Sequence, residues 1–177
     1  MDAERTPSKK YLTFLLMLLL LVLTSLSADM VGFFFPNKRE DLGLAASYLQ
    51  EGLRFERRGD YENAILSYQK EIEINPSNAA AYNALAWLYV DKLEIKYDEA
   101  IVLAETAVMF TEDRDHPARD FWLANYLDTL GWAHYKNANY EEAVIHLERA
   151  VALDNRRSYL DHLQSVRNAL NYPIETK

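Results

Sequence analysis

The sequence predicts an all-α chain: a solenoid of three helix pairs closed by a seventh helix, with one transmembrane helix ahead of it. Three observations carry this. Between residues 44 and 170, large and small apolar side chains alternate at helical spacing three times over, with a break between two helices in each copy. A helix pair of this size cannot bury its own apolar face, so the pairs must stack. Ahead of them, Tyr11 to Ala28 runs for eighteen residues without a charge.

Residues 1–10 are polar, end in Lys9 and Lys10, and are read as a cytoplasmic N-terminus. Residues 11–35 are read as a membrane segment. As a helix, Tyr11 to Ala28 would be about 27 Å long, close to the ~30 Å hydrocarbon core. Phe33, Phe34 and Phe35 suit the membrane–water boundary, and Pro36 stops the helix. The basic pair at its start, against Lys38 and Arg39 well beyond its end, puts the repeats on the exoplasmic side. A cleaved signal peptide is the alternative, because small residues at Ser25 and Ser27 precede Ala28. It would leave the repeats secreted or periplasmic. Residues 36–43 form a polar linker reaching roughly 28 Å at most, so an uncleaved anchor holds the repeats close to the bilayer.

The first copy places Tyr48, Glu51, Gly52, Phe55, Gly59, Tyr61, Ala64 and Tyr68 before a break at Asn75 and Pro76. Its helices are expected at Leu44 to Arg58 and Tyr61 to Ile74, the second capped by Asp60. Gly52 and Ala64 are small where the two should cross. The second copy has Tyr82, Leu85, Ala86, Tyr89, Tyr97, Ala100 and Ala107, with Asn78 as the cap. Gly52 to Ala86 spans 34 residues but Ala64 to Ala100 spans 36, so two extra residues are assigned to an exposed loop at Lys92 to Lys96. The third has Leu127, Leu130, Gly131, Tyr140, Ala143, Leu147 and Ala150, with Asn139 as the cap. Ala100 to Ala143 spans 43 residues, and the excess falls at Thr111 to Trp122, as a loop or as an extension of a flanking helix. In the last helix Tyr159, Leu163, Val166 and Leu170 make one apolar stripe, and Ser158 with Asp161 resembles a capping box.

These positions resemble the tetratricopeptide repeat (TPR), a helix-turn-helix unit of 34 residues. The resemblance divides residues 44–170 into repeats at about 45–78, 79–114 and 124–157 and a capping helix at 158–170, leaving 171–177 as a tail. The chain departs from the pattern at Glu71, where the family usually has Ala: the contact with the next repeat is looser there, or the carboxylate reaches solvent along its stem. Ala104 and His134 replace usual aromatic residues, and Asn155 stands where Pro is common.

The resemblance implies a binding scaffold whose first helices line a concave groove. Matching positions give one row at Leu53, Trp87 and Trp132, another at Leu49, Asn83 and Asp128, and Tyr135 in a third. These are the candidate partner-binding residues, aromatic anchors with a few polar directing groups; Trp87 and Trp132 could instead pack between neighbouring helices. Some TPR proteins clamp a terminal carboxylate with Lys, Arg and Asn. The matching places here are Leu49, Leu53, Ala84, Asn125 and Thr129, which argues against chaperone-type acidic tails.

Acidic residues outnumber basic ones, 27 to 19, for a net charge of −8, and no basic stripe follows the repeats, so nucleic acid is not expected as a partner. With no Cys, disulfides, thiolate metal sites and cysteine nucleophiles are excluded. No Ser-His-Asp constellation, phosphate loop or metal-ligand spacing is apparent, and His116 sits in a charged stretch that nothing orders. The expectation is a non-enzymatic, cofactor-free, membrane-anchored scaffold. Its partner would be a protein, a membrane protein or membrane-complex subunit, and the bilayer would hold its N-terminal helix. An exported soluble adaptor and the accessory domain of an enzyme are the alternatives.

Overall fold

In a computed structural model the described residues are 38–112 and 115–171, with side chains from Tyr48 on. The anchor or signal segment at 11–35 lies outside them, as do residues 172–177. Among the described residues, no helix is long and apolar enough to cross a membrane.

Seven helices, and no strand, occupy the described residues: α1 Lys38–Arg57, α2 Tyr61–Ile74, α3 Ala79–Trp87, α4 Tyr97–Glu112, α5 Arg119–Lys136, α6 Tyr140–Leu153 and α7 Arg157–Asn171. Sequential neighbours pack on one another from α2 to α7, which makes the helical solenoid. Its helix α1 starts at Lys38, inside the stretch read as linker.

Side-chain size sets how closely each pair approaches. A Cβ on Gly52 would run into the Tyr68 ring, and one on Gly131 would lie 2.6 Å from Leu147 Cγ and 3.1 Å from the Ala143 carbonyl oxygen. Both positions must therefore be glycine. The middle pair has alanine at both matching positions, Ala86 and Ala104, and both are fully buried.

The breaks follow local chemistry. Gly59 ends α1 at φ +77°, a conformation open to glycine. Asp60 and Asn78 cap α2 and α3, accepting from Asn63 N and Ala80 N. Asn139 stands at the start of α6 without a capping bond; its amide turns to His134 Nδ1 at 3.5 Å. The Ser158–Asp161 box does not form either, because α7 already begins at Arg157, whose Nε donates to Asp161 at 2.9 Å.

Each insertion is taken up partly by helix and partly by loop. After Trp87, α3 widens into a π-helical turn, Leu88–Leu93, closed by Glu94 in the left-handed region at φ 52°. The two extra residues are absorbed there because Leu88, Tyr89 and Val90 are buried, and widening the turn keeps all three in the core. The longer insertion extends α4 to Glu112 and starts α5 at Arg119, with residues 115–118 outside either helix.

Glu71 neither loosens its contact nor reaches water. It is fully buried, and its Oε1 accepts from Asn78 Nδ2 at 2.5 Å. One asparagine thus caps α3 and satisfies the carboxylate at the end of the first repeat. Oε2 has no protein partner.

Candidate functional site

The first helix of each pair, with α7, walls a groove of about 700 Å³. Its α1 side is apolar, with Leu49 and Leu53 beside Gln50 and Glu56. Helix α3 adds Ala80, Asn83, Ala84 and Trp87, and its wide turn adds Asp91. From α5 come Trp122, Asn125, Tyr126, Asp128 and Thr129, and from the end of the chain Arg156, Ser158, Tyr159 and His162.

Five of the seven sequence-selected residues meet in this lining: Leu49, Leu53, Asn83, Trp87 and Asp128. Trp132 and Tyr135 do not. They stack on each other at 4.8 Å between ring centroids, and Trp132 stacks on His162 at 4.2 Å. Trp132 Nε1 is buried without a protein partner. Spacing put Asp128, Trp132 and Tyr135 on one helical face, and that face is covered where α7 docks. Asp128 is accordingly only 4% exposed and is not the open directing group expected. Its Oδ1 accepts from His162 Nδ1–H at 2.9 Å. Burial pushes the Asp128 carboxyl above the usual range, and the His162 bond draws it part of the way back.

A run of side-chain amides crosses the groove floor. Asn83 Nδ2 donates to Asn125 Oδ1 at 3.3 Å, and Asn125 Nδ2 donates to the Tyr159 hydroxyl at 3.5 Å. At one end, Tyr68 donates to Glu56 Oε2 at 2.6 Å and Lys92 donates to Asp91 Oδ2 at 2.7 Å. Burial, then the Glu56 bond, holds the Tyr68 phenol far above its ordinary value. At the other end, Asp154 holds Arg156 at 2.6 Å, with the guanidinium 5.1 Å from the Phe121 ring centroid and 5.0 Å from that of Tyr159.

Sequence reasoning missed two sources of this lining. Trp122 enters it because the insertion lengthens α5 at its start, and the Phe121–Trp122 pair was a legible signal of a wall built there. Tyr159 and His162 enter it because α7 closes the groove as well as the core. Leu49, Leu53, Ala84, Asn125 and Thr129, the places matched to a carboxylate clamp, all line the groove and carry no cation. Among the described residues no group of His, Asp and Glu is arranged to hold a metal ion.

Comparisons with known proteins agree with this geometry. Residues 52–92 match a family model described as TPR repeat, and residues 124–157 one described as tetratricopeptide repeat. The type IV pilus assembly protein PilF of Pseudomonas aeruginosa is 35% identical over 97 residues, 55% of this chain; the match spans 34% of that protein's length. Among solved structures, the first TPR of Spaghetti (RPAP3) bound to an HSP90 peptide superposes with a TM-score of 0.62 at 23% identity, covering 72% of this chain and 94% of that one. The second TPR domain of human RPAP3, in complex with an HSP70 peptide, gives 0.62 at 21%, covering 74% and 98%. The N-terminal domain of stress-induced protein-1 from C. elegans gives 0.60 at 21%, covering 72% and 97%. At these identities the structures establish the fold, and the family models place tetratricopeptide repeats at residues 52–92 and 124–157.

Proposed function

We propose that this chain, a carrier of tetratricopeptide repeats, is a non-enzymatic scaffold that seats an extended segment of a partner protein in its concave groove. The observation that supports this most is the groove's make-up. Half-buried Leu49, Leu53, Ala84 and Trp87 offer an apolar strip, and Asn83 and Asn125 supply hydrogen-bonding groups beside it. Apolar anchors give a segment its affinity, and polar neighbours set its register.

The finer reading places the scaffold at a membrane. An uncleaved helix within residues 11–35 would hold the repeats near the bilayer on its exoplasmic face, with a membrane protein or membrane-complex subunit as partner. Similarity to a type IV pilus assembly protein supports an assembly role of this kind. Cleavage after Ser27 would give an exported soluble adaptor instead.

The test is affinity purification of the full chain in mild detergent, comparing wild type with Leu53→Glu. Co-purification of a membrane protein that Leu53→Glu loses, with helicity unchanged, is the expected result. Equal recovery by the variant would move the partner out of the groove. Mass spectrometry of the native N-terminus decides between anchor and signal peptide.

A further inference from the structure

Resting on that groove reading, we infer that the seated segment is basic: an extended stretch of protein in which apolar side chains neighbour lysine or arginine, free of clustered carboxylates. The charges of the lining carry the inference. Glu56, Asp91 and Asp128 place three carboxylates in the groove against one cation, Arg156. That guanidinium is already held by Asp154 at 2.6 Å.

The acceptors are arranged to leave room for an incoming cation. At the end formed by α1 and the wide turn after α3, Glu56 and Asp91 share a single ammonium. Lys92 bonds Asp91 and lies within the field of Glu56. Glu56 gives one oxygen, Oε2, to Tyr68, and Asp91 gives Oδ2 to Lys92. The second oxygen of each remains for a donor. A negative segment would meet like charge at Glu56 and Asp91. At the positions where a carboxylate clamp would stand, it would find Leu49, Leu53, Ala84, Asn125 and Thr129. The apolar strip of Leu49, Leu53 and Trp87 then takes the side chains next to the cation.

The experiment is selection of a random-peptide display library on the full chain in detergent micelles. The expected winners combine apolar residues with Lys or Arg and avoid Asp and Glu. A synthetic winner should bind at least about five-fold more weakly to the Glu56→Gln, Asp91→Asn double variant, and binding should fall with added salt. Circular dichroism should show the double variant folded. Acidic or charge-free winners that still compete with one another and are lost on Leu53→Glu would overturn the inference and leave the groove reading standing. Winners indifferent to Leu53→Glu, or no enrichment at all, would sink the groove reading and the inference with it.

Discussion

His162, on the last helix, donates its Nδ1 proton to the nearly buried carboxylate of Asp128 on α5 at 2.9 Å, and Trp132 stacks on the same imidazole at 4.2 Å. The helix that closes the core is therefore fastened through a residue of the groove. Asp128→Ala should lower the melting temperature, by about 1–3 kcal/mol of stability, because it leaves a half-buried imidazole without its acceptor. Asp128→Asn keeps an acceptor and should recover most of the loss. Thermal melts of the two variants decide this; equal melts for Asp128→Ala and wild type would mean the pair does not hold α7.

Close approach of the helix pairs rests on glycine. Gly131→Leu should cost about 1–3 kcal/mol or more through overpacking against Leu147 and the Ala143 carbonyl. Gly59 is the contrast: a Cβ there meets nothing within 4 Å, so Gly59→Ala should cost only its left-handed backbone, about 1 kcal/mol. Chemical denaturation compares them, and a Gly131→Leu variant as stable as wild type would refute the crossing assigned to the third repeat.

Alanine at both matching positions of the middle pair predicts a rescue. Ala104→Leu alone should destabilise the fold, because Ala86 occupies the space that glycine leaves in the other two pairs. Adding Ala86→Gly should recover part of the loss. A double-mutant cycle reads the coupling directly, and strict additivity would show that the two sites do not share that space.

His134 and His146 stack at 5.3 Å between helices α5 and α6. Burial, then His134 and Arg149 nearby, holds the His146 imidazole down at about 4, from an ordinary 6.5. Burial lowers His134 as well. A depressed histidine takes its proton in the unfolded chain first as pH falls. Its contribution to stability is therefore complete above about pH 6.5 and is lost as pH drops towards 4. Melting temperature followed across that window should fall, and His146→Gln should flatten the slope. An unchanged slope would place the acid sensitivity elsewhere.

Most of the fold was legible because it is local and repeated. Gly52, Ala64, Gly131 and Ala143 announce the crossings by size, and Asp60 and Asn78 announce helix starts by their side-chain oxygens. The shorter insertion was not legible as helix and the longer one was left between loop and helix extension, because spacing shows where residues are added and leaves open whether a helix absorbs them. Burial of Leu88 to Val90 turned one insertion into a wide helical turn. Trp132 and Tyr135 were misplaced for a related reason. Helical periodicity puts them on the face of Asp128, but only the docking of α7 decides that this part of the face is covered. His162 entered the groove through the same docking of α7, and Trp122 through the lengthened start of α5.

Site-specific photo-crosslinking in the native cell tests the seating of a partner segment most directly. A photoreactive residue at position 53 faces the groove, and one at position 66, where Leu66 is 62% exposed on α2, lies outside the lining. The account predicts a discrete crosslinked protein from position 53, absent from position 66 and abolished by the Glu56→Gln, Asp91→Asn pair. A partner captured from position 66 and not from position 53 would contradict it.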